Sequence, residues 1–178
     1  MRRWIGFVAL AMLLGGCGWQ LQTVRPMPAV LLPVYLDLSD TQSLFARSLR
    51  ESLRTGKIQT TLDRASAGSI LQVSHDQSGR EVTSVSALNQ PQQYQIYYRA
   101  EYRFDRHDKA GPESAGAAPV TLIPTQLLNV SRTMSYDSTL ALAKEREQRA
   151  VEELLAKELT QQVLRHLNSV SVAVSSGQ

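Results

Sequence analysis

The sequence predicts an α+β domain, a two-layer sandwich with two helices packed on one face of a mainly antiparallel four-stranded sheet. Three observations predict it. Residues Tyr94 to Asp105 alternate apolar and polar with period two. Two amphipathic stretches with helical spacing follow Asp40 and Ser138. The elements run in the order strand, helix, three strands, helix, which leaves both helices to cover a single sheet face.

Val30 to Leu38 is β-rich and apolar with Pro33 inside it, so it reads as a strand with the proline at its start or on an edge. Ser39 and Asp40 then offer N-cap oxygens. Leu44, Phe45, Ser48, Leu49 and Leu53, with Ser52 beside them, form a helical stripe that stops at Gly56. Residues 58–62 form a candidate short strand, and Arg64 to Ser69 a turn. Ile70 to His75 reads as a strand continuing raggedly to Val85 past Gly79. In the Tyr94–Asp105 strand, Tyr94, Ile96, Tyr98, Ala100, Tyr102 and Phe104 face the core. Gln95, Tyr97, Arg99, Glu101, Arg103 and Asp105 face water.

Asp108 to Pro119 is rich in glycine, proline and alanine and reads as a flexible hairpin tip. Val120 to Met134 is the return strand, with Val120, Leu122, Leu128, Val130 and Met134 sharing one parity, so that these strands form an antiparallel meander. Ser138 and Thr139 open a long helix, Leu140 to about Leu167. Its apolar side comprises Leu140, Ala143, Ala150, Val151, Leu154, Leu155, Leu159, Val163 and Leu167. The opposite side carries Lys144, Arg146, Glu152, Lys157 and Glu158.

Ahead of this domain, Arg2 and Arg3 precede an apolar run from Trp4 to Leu14 and then Leu14-Gly15-Gly16-Cys17. That order is expected of a secretory signal peptide, and a membrane-crossing helix needs about twenty apolar residues, more than this run supplies. A small-small-Cys ending after Leu14 looks like a bacterial lipoprotein signal, in which Cys17 is acylated and becomes the new N-terminus. The expected organisation is a signal peptide over 1–16, a lipidated strap over 17–29, one domain over 30–168 and a flexible tail over 169–178. Cys17 is the only cysteine, so no disulfide framework supports the fold. Acyl chains anchor stably only in combination, each buried methylene contributing about 0.8 kcal/mol. By resemblance to lipoprotein sorting rules, Gly18, not being aspartate, favours the outer membrane.

The full chain has 19 basic and 16 acidic residues; without Arg2 and Arg3 the net charge is +1, which gives no general argument for nucleic acid. Anion binding must come from a local patch. There is no Gly-x-Ser-x-Gly, His-Glu-x-x-His, Walker loop or dinucleotide turn. His75, His107 and His166 lack ligand-like spacing. No catalytic residue, metal site or cofactor is predicted.

The residues carry a resemblance. The lipobox followed by Cys17-Gly18-Trp19-Gln20-Leu21, the Tyr94-Gln95 strand opening, Arg132-x-x-x-Tyr136-Asp137 leading into Ala141-Leu142-Ala143-Lys144-Glu145 with Glu147-Gln148, and Gln161-Gln162-x-x-Arg165-x-Leu167 closely resemble the lipopolysaccharide-assembly lipoprotein family LptE, also called RlpB. The similarity runs over nearly the whole mature chain. It implies a non-enzymatic subunit of the outer-membrane lipopolysaccharide translocon, which plugs the LptD β-barrel, assists its assembly and binds lipopolysaccharide. The implied fold, two helices on a four-stranded sheet, does not need the 58–62 strand. Lys144 aligns with the basic position of the family's Ala-Leu-Ala-Lys motif and is the leading candidate for lipopolysaccharide, with Arg132 beside it in a possible patch and Arg99 and Arg103 as further candidates. The family also tends to place a basic residue in the turn before the Tyr-Gln strand. This chain has Ala87, Leu88 and Asn89 there, so Arg80, Arg99 or Arg103 would substitute. The competing readings are a pilot or scaffold lipoprotein of another envelope machine and a periplasmic hydrolase, the latter requiring a pocket with a coupled acid/base pair.

Overall fold

Pro33 sets where the sheet begins. In the computed structural model, which describes residues 27–107, 119–136 and 141–176, a 3-10 turn at Ala29–Leu31 leads past Pro33 into the first strand, β1 (Val34–Leu38). The leader, Cys17, the strap up to residue 26, the 108–118 segment of the expected hairpin tip, and Ser138 and Thr139 lie outside the described residues. Helix α1 (Leu44–Thr55) follows β1. Its N-cap is Ser43, whose Oγ accepts from the Ala46 N–H at 2.9 Å, not Ser39 or Asp40. Asp40 instead closes the preceding turn, accepting from the Gln42 N–H at 2.8 Å. Phe45, Ala46, Leu49 and Leu53 are buried, and the helix stops at Gly56 as expected.

Strand β2 (Thr60–Thr61) is the short strand expected at 58–62. Then come β3 (Ser69–Val85), β4 (Pro91–Arg106), β5 (Val120–Ser135) and α2 (Ala141–Ser176). The sheet has five strands in the order β2-β1-β3-β4-β5. It is therefore mixed, a correction to the four-stranded, mainly antiparallel expectation: β1 runs parallel to both β2 and β3, and only β3-β4-β5 form the antiparallel meander. The cause is α1, which carries the chain back to the starting end of β1, so that the strands beside β1 start level with it.

Gly68 makes the start of β3 possible. A Cβ there would lie 2.6 Å from the Leu32 carbonyl oxygen and 2.8 Å from that of Val30, so this backbone packs directly on the 3-10 turn. The Gly68 N–H donates to the Pro33 carbonyl at 2.8 Å, and the adjoining Ser69 hydroxyl donates to the Leu31 carbonyl at 2.7 Å. Strand β3 then runs unbroken to Val85, with Gly79 paired to Tyr97. A register shift between Val73 and His75 turns Asp76 onto the helix-covered face, opposite Ala100.

In β4 the expected core face holds, with Ile96, Tyr98, Ala100, Tyr102 and Phe104 buried, but Asp105, expected to face water, is buried too and accepts from Arg103. In β5 the expected parity holds for Val130 and Met134 but fails nearer the start of the strand, where Ile123 is buried and Val120 exposed. Two register shifts in the β4–β5 ladder, after the Tyr102–Gln126 pair, bring Ile123 opposite Phe104 and flip the facing residues. Pro124 sits within this irregularity, where a missing N–H costs no ladder bond.

Both helices cover one sheet face, as predicted. Helix α2 runs alongside β4: Gln148 lies near the Tyr94 end, and His166 bonds the Tyr102 hydroxyl through Nδ1. The helix continues to Ser176, so residues 169–176, expected as a loose tail, are helical, with Ser171 buried. Leu155, Leu159, Val163 and Leu167 are buried, whereas Ala143, Ala150 and Leu154, expected on the apolar side, are exposed. The reason is length. At about 1.5 Å per residue, α1 with its 12 residues flanks only the C-terminal half of the 36-residue α2. There Thr160 is fully buried and donates to the Ser48 hydroxyl at 3.0 Å.

The molecule thus has two ends. At the Met27 end, β1, β2, α1 and the second half of α2 enclose the core. At the opposite end, the turn over residues 86–90 joins β3 to β4 under the start of α2.

Candidate functional site

The turn at 86–90 is built by Ser86, whose carbonyl accepts from the Asn89 N–H at 2.9 Å and whose hydroxyl accepts from the N–H groups of Leu88 and Gln90 at 3.3 and 3.2 Å. Asn89 has φ 58°, a conformation asparagine tolerates. The turn carries no cation, and Leu88 projects with 81% of its surface exposed.

A cation stands behind it. Arg80 is opposite Ile96, on the helix-covered face of β3. Its guanidinium lies 5.0 Å from the centre of the Tyr94 ring and donates to Gln148 Oε1 at 3.0 Å. Tyr94 in turn meets Tyr136 edge to face at 5.0 Å. Gln148 is one turn along α2 from Lys144, so the sheet's Arg80 and the helix's Lys144 belong to the same end and the same layer. Of the three residues expected to replace the missing turn cation, Arg80 is the one on this layer.

Lys144 is largely covered, with 17% of its side chain exposed, and its Nζ donates to Glu147 Oε2 at 2.8 Å. Arg132 pairs across β4 with Ile96, in one row with Arg80, and reaches Glu158 at 3.9 Å. The carboxylates that hold Lys144 and Arg132 are eleven residues apart on α2, about 16 Å along its axis. Each cation of this layer is therefore matched locally, and a bound anion would have to compete with a glutamate for Lys144 and for Arg132.

Arg99 and Arg103 lie on the other face of the sheet, which no helix covers. The Arg99 guanidinium stacks over Tyr97 at 4.4 Å and approaches Glu81 at 3.7 Å. Tyr97 itself lies across Gly79, where a Cβ would come within 2.5 Å of its hydroxyl. Arg103 donates to Asp105 at 2.8 Å and to Thr121 at 2.6 Å. Gln95 donates to Ser131 at 2.8 Å. Gln95, Tyr97, Arg99 and Arg103 thus have partners on this face, beside the exposed Leu127 opposite Glu101, and the expected site residues divide between two faces: Lys144 and Arg132 with the helices, Arg99 and Arg103 opposite.

A polar network that the sequence did not reveal ties α1 to the sheet. Asp76 accepts from the Ser43 hydroxyl and, at 2.8 Å, from the Tyr98 hydroxyl, which accepts from the Phe45 N–H at 3.2 Å. Burial and then the bond to Asp76 push the Tyr98 hydroxyl above its usual ionisation range. Burial pushes Tyr102 up to about 12. The pairing of Asp76 depends on the bulge after Val73, which has no local sequence signal. Among the described residues, no group of three histidine, cysteine or carboxylate side chains could hold a metal.

Residues 31–167 match the family model LptE, described as lipopolysaccharide-assembly. The LPS-assembly lipoproteins LptE of Yersinia pestis and Yersinia pseudotuberculosis are 28% identical over 162 residues, spanning 89% of this chain and 71% of theirs. Among solved structures, rare lipoprotein B from Shewanella oneidensis superposes with a TM-score of 0.64 at 19% identity, covering 80% of this chain and 98% of that one. Lipoprotein B from Nitrosomonas europaea gives 0.61 at 20% identity, covering 81% and 84%. These two likenesses show a shared fold.

Proposed function

Because the chain belongs to the LptE family, whose members are non-enzymatic lipopolysaccharide-assembly lipoproteins, we propose that it is a lipid-anchored outer-membrane subunit that plugs the LptD β-barrel, assists its assembly and binds lipopolysaccharide during delivery to the cell surface. The observation that carries the plug reading is the helix-free face of the sheet, where Gln95, Tyr97, Arg99 and Arg103 present polar atoms in a fixed lattice. The lumen of a large barrel is polar, and a protein filling it needs a hydrogen-bonding wall. Arg99 and Arg103 belong to that wall in this reading.

Lipopolysaccharide binding falls to the other layer. Its phosphates and acidic sugars suit charge-assisted hydrogen bonds from Lys144, Arg132 and Arg80, and the exposed Leu88 at the adjoining turn offers an apolar contact. Acylation of Cys17 supplies the anchor, with the protein facing the periplasm and seated in the barrel lumen.

The testing experiment is an affinity pull-down of the tagged, lipidated protein from detergent-solubilised outer membranes, with mass spectrometry of what accompanies it. Stoichiometric recovery of an LptD-type barrel is expected. Recovery of no barrel, or of the subunits of another envelope machine, overturns the plug reading. For the ligand, Lys144→Glu with Arg132→Glu weakens lipopolysaccharide binding about tenfold or more without unfolding the domain; unchanged binding removes the site.

A further inference from the structure

Charge is distributed very differently over the two helices. Along α2, cations and carboxylates alternate, as in Lys144, Glu145, Arg146 and Glu147. Along α1, Arg47, Arg50 and Arg54 are all exposed and recur at helical spacing on one stripe, with Glu51 the only carboxylate of the helix, and Lys57 follows just past its end. Arg54 is bonded to Glu51 at 2.7 Å and favours the C-terminal end of the helix dipole. Neither explanation serves Arg50, and the dipole alone serves Lys57; neither has a carboxylate within 4 Å among the described residues, and Arg50 donates instead to the Thr41 carbonyl at 2.8 Å.

These cations rim a cleft of about 600 Å³ between α1 and the β1–β2 edge of the sheet, whose apolar floor includes Leu36, Leu38 and Ile58. Leu62, on its margin, is 100% exposed. On the other side of Lys57 and Ile58 lies a second groove, lined by Met27 and Arg165. The basic stripe therefore ends where the described chain begins. Nine residues lie between Cys17 and Met27, ten backbone steps with a reach of at most about 35 Å.

We infer that the exposed face of α1, together with Lys57 and Leu62, is a docking surface for an anionic phospholipid bilayer. The inference rests on Cys17 being the anchor and, in the plug reading, on this end of the domain standing outside the barrel lumen, within reach of the membrane surface. Clustered Lys and Arg are attracted to anionic headgroups and pulled in further by a neighbouring apolar side chain that enters the interface. This surface lies at the far end of the sheet from Arg80 and Lys144, so it acts apart from the proposed lipopolysaccharide site and serves to orient the tethered domain.

The test uses the mature chain with Cys17→Ser, so that acyl chains contribute nothing, in co-sedimentation with vesicles of phosphatidylcholine alone or mixed with phosphatidylglycerol. Binding to the anionic vesicles only, falling as salt rises, is expected. The combination Arg50→Gln, Arg54→Gln, Lys57→Gln lowers it about tenfold or more, Leu62→Ser lowers it several-fold, and the equal charge change Arg146→Gln, Arg149→Gln, Lys157→Gln on α2 leaves it in place. No binding to anionic vesicles, or equal losses from the two triple variants, overturns the inference. The mass of Cys17 in wild-type protein purified from membranes is a separate readout: an unacylated cysteine removes the anchor, while the vesicle result still decides the surface.

Discussion

At the Met27 end, β3 and β4 lie beneath two helices, and Phe45, Leu49, Leu53, Leu155, Leu159 and Leu167 are sealed from solvent. At the hairpin end the same two strands meet only the first turns of α2, and Val82, Val85, Leu88 and Leu142 are exposed. One sheet thus supports a thick, dry half and a thin, wet one. In the proposed function the difference separates stability from recognition. Each leucine buried in the thick half contributes about 1.5–3 kcal/mol. The thin half holds Arg80, Tyr94, Tyr136 and Gln148 in place by a ring contact and single hydrogen bonds, so its side chains remain available to a ligand.

Core truncation gives the sharpest contrast. Leu159→Ala is expected to cost about 2–5 kcal/mol in urea unfolding, and Leu142→Ala at the other end less than about 0.5 kcal/mol; comparable losses would abolish the distinction. Next in size is the attachment of α1 to the sheet: Ser43→Ala removes both the N-cap and a bond to Asp76, lowering stability by about 1 kcal/mol. Last comes Tyr102→Phe, which at neutral pH loses the bond to His166, about 0.5–1 kcal/mol, and whose further consequence appears in alkaline solution. Tyr102 ionises near 10 when unfolded and at about 12 when folded. Its contribution is therefore complete below pH 10 and lost as pH rises towards 12, because the unfolded chain gives up its proton first. Tyr98 acts in the same direction, so thermal melts of Tyr102→Phe across that range should show a shallower decline than wild type, and an unaltered slope would place the titration elsewhere.

Local patterns in the sequence were good guides where the structure is local. The alternation in β4 and the stop at Gly56 needed no knowledge of distant residues, and the short strand at 58–62 was visible although the family resemblance did not call for it. What escaped was pairing at a distance. The parallel alignment of β1 with β3 has no signature within either strand. The bulges after Val73 and around Pro124 flipped Asp76 and Ile123 to a face that a fixed period of two denies them. The buried side of α2 is narrower than its spacing predicts, because nothing in the helix reveals that its neighbour is a third of its length. The division of the candidate site was half legible: parity placed Arg99 and Arg103 on the wet face of β4, but the meeting of Gln148 with Arg80 depends on how α2 lies over the sheet. The basic stripe of α1 lies in the spacing of Arg47, Arg50 and Arg54, but the cleft beside it depends on the sheet edge that α1 meets.

Strand β4 crosses both halves without interruption and without a glycine, and Gly79 of β3 is roofed by the Tyr97 ring. At about 3.3 Å per residue, its 16 residues make a beam of about 53 Å. A bilayer measured through its headgroups is about 40–45 Å thick. Over a body of that length, whatever holds the Met27 end bears on the height and angle of Leu88 and Arg80, as the clamp on a ruler sets the position of its far mark.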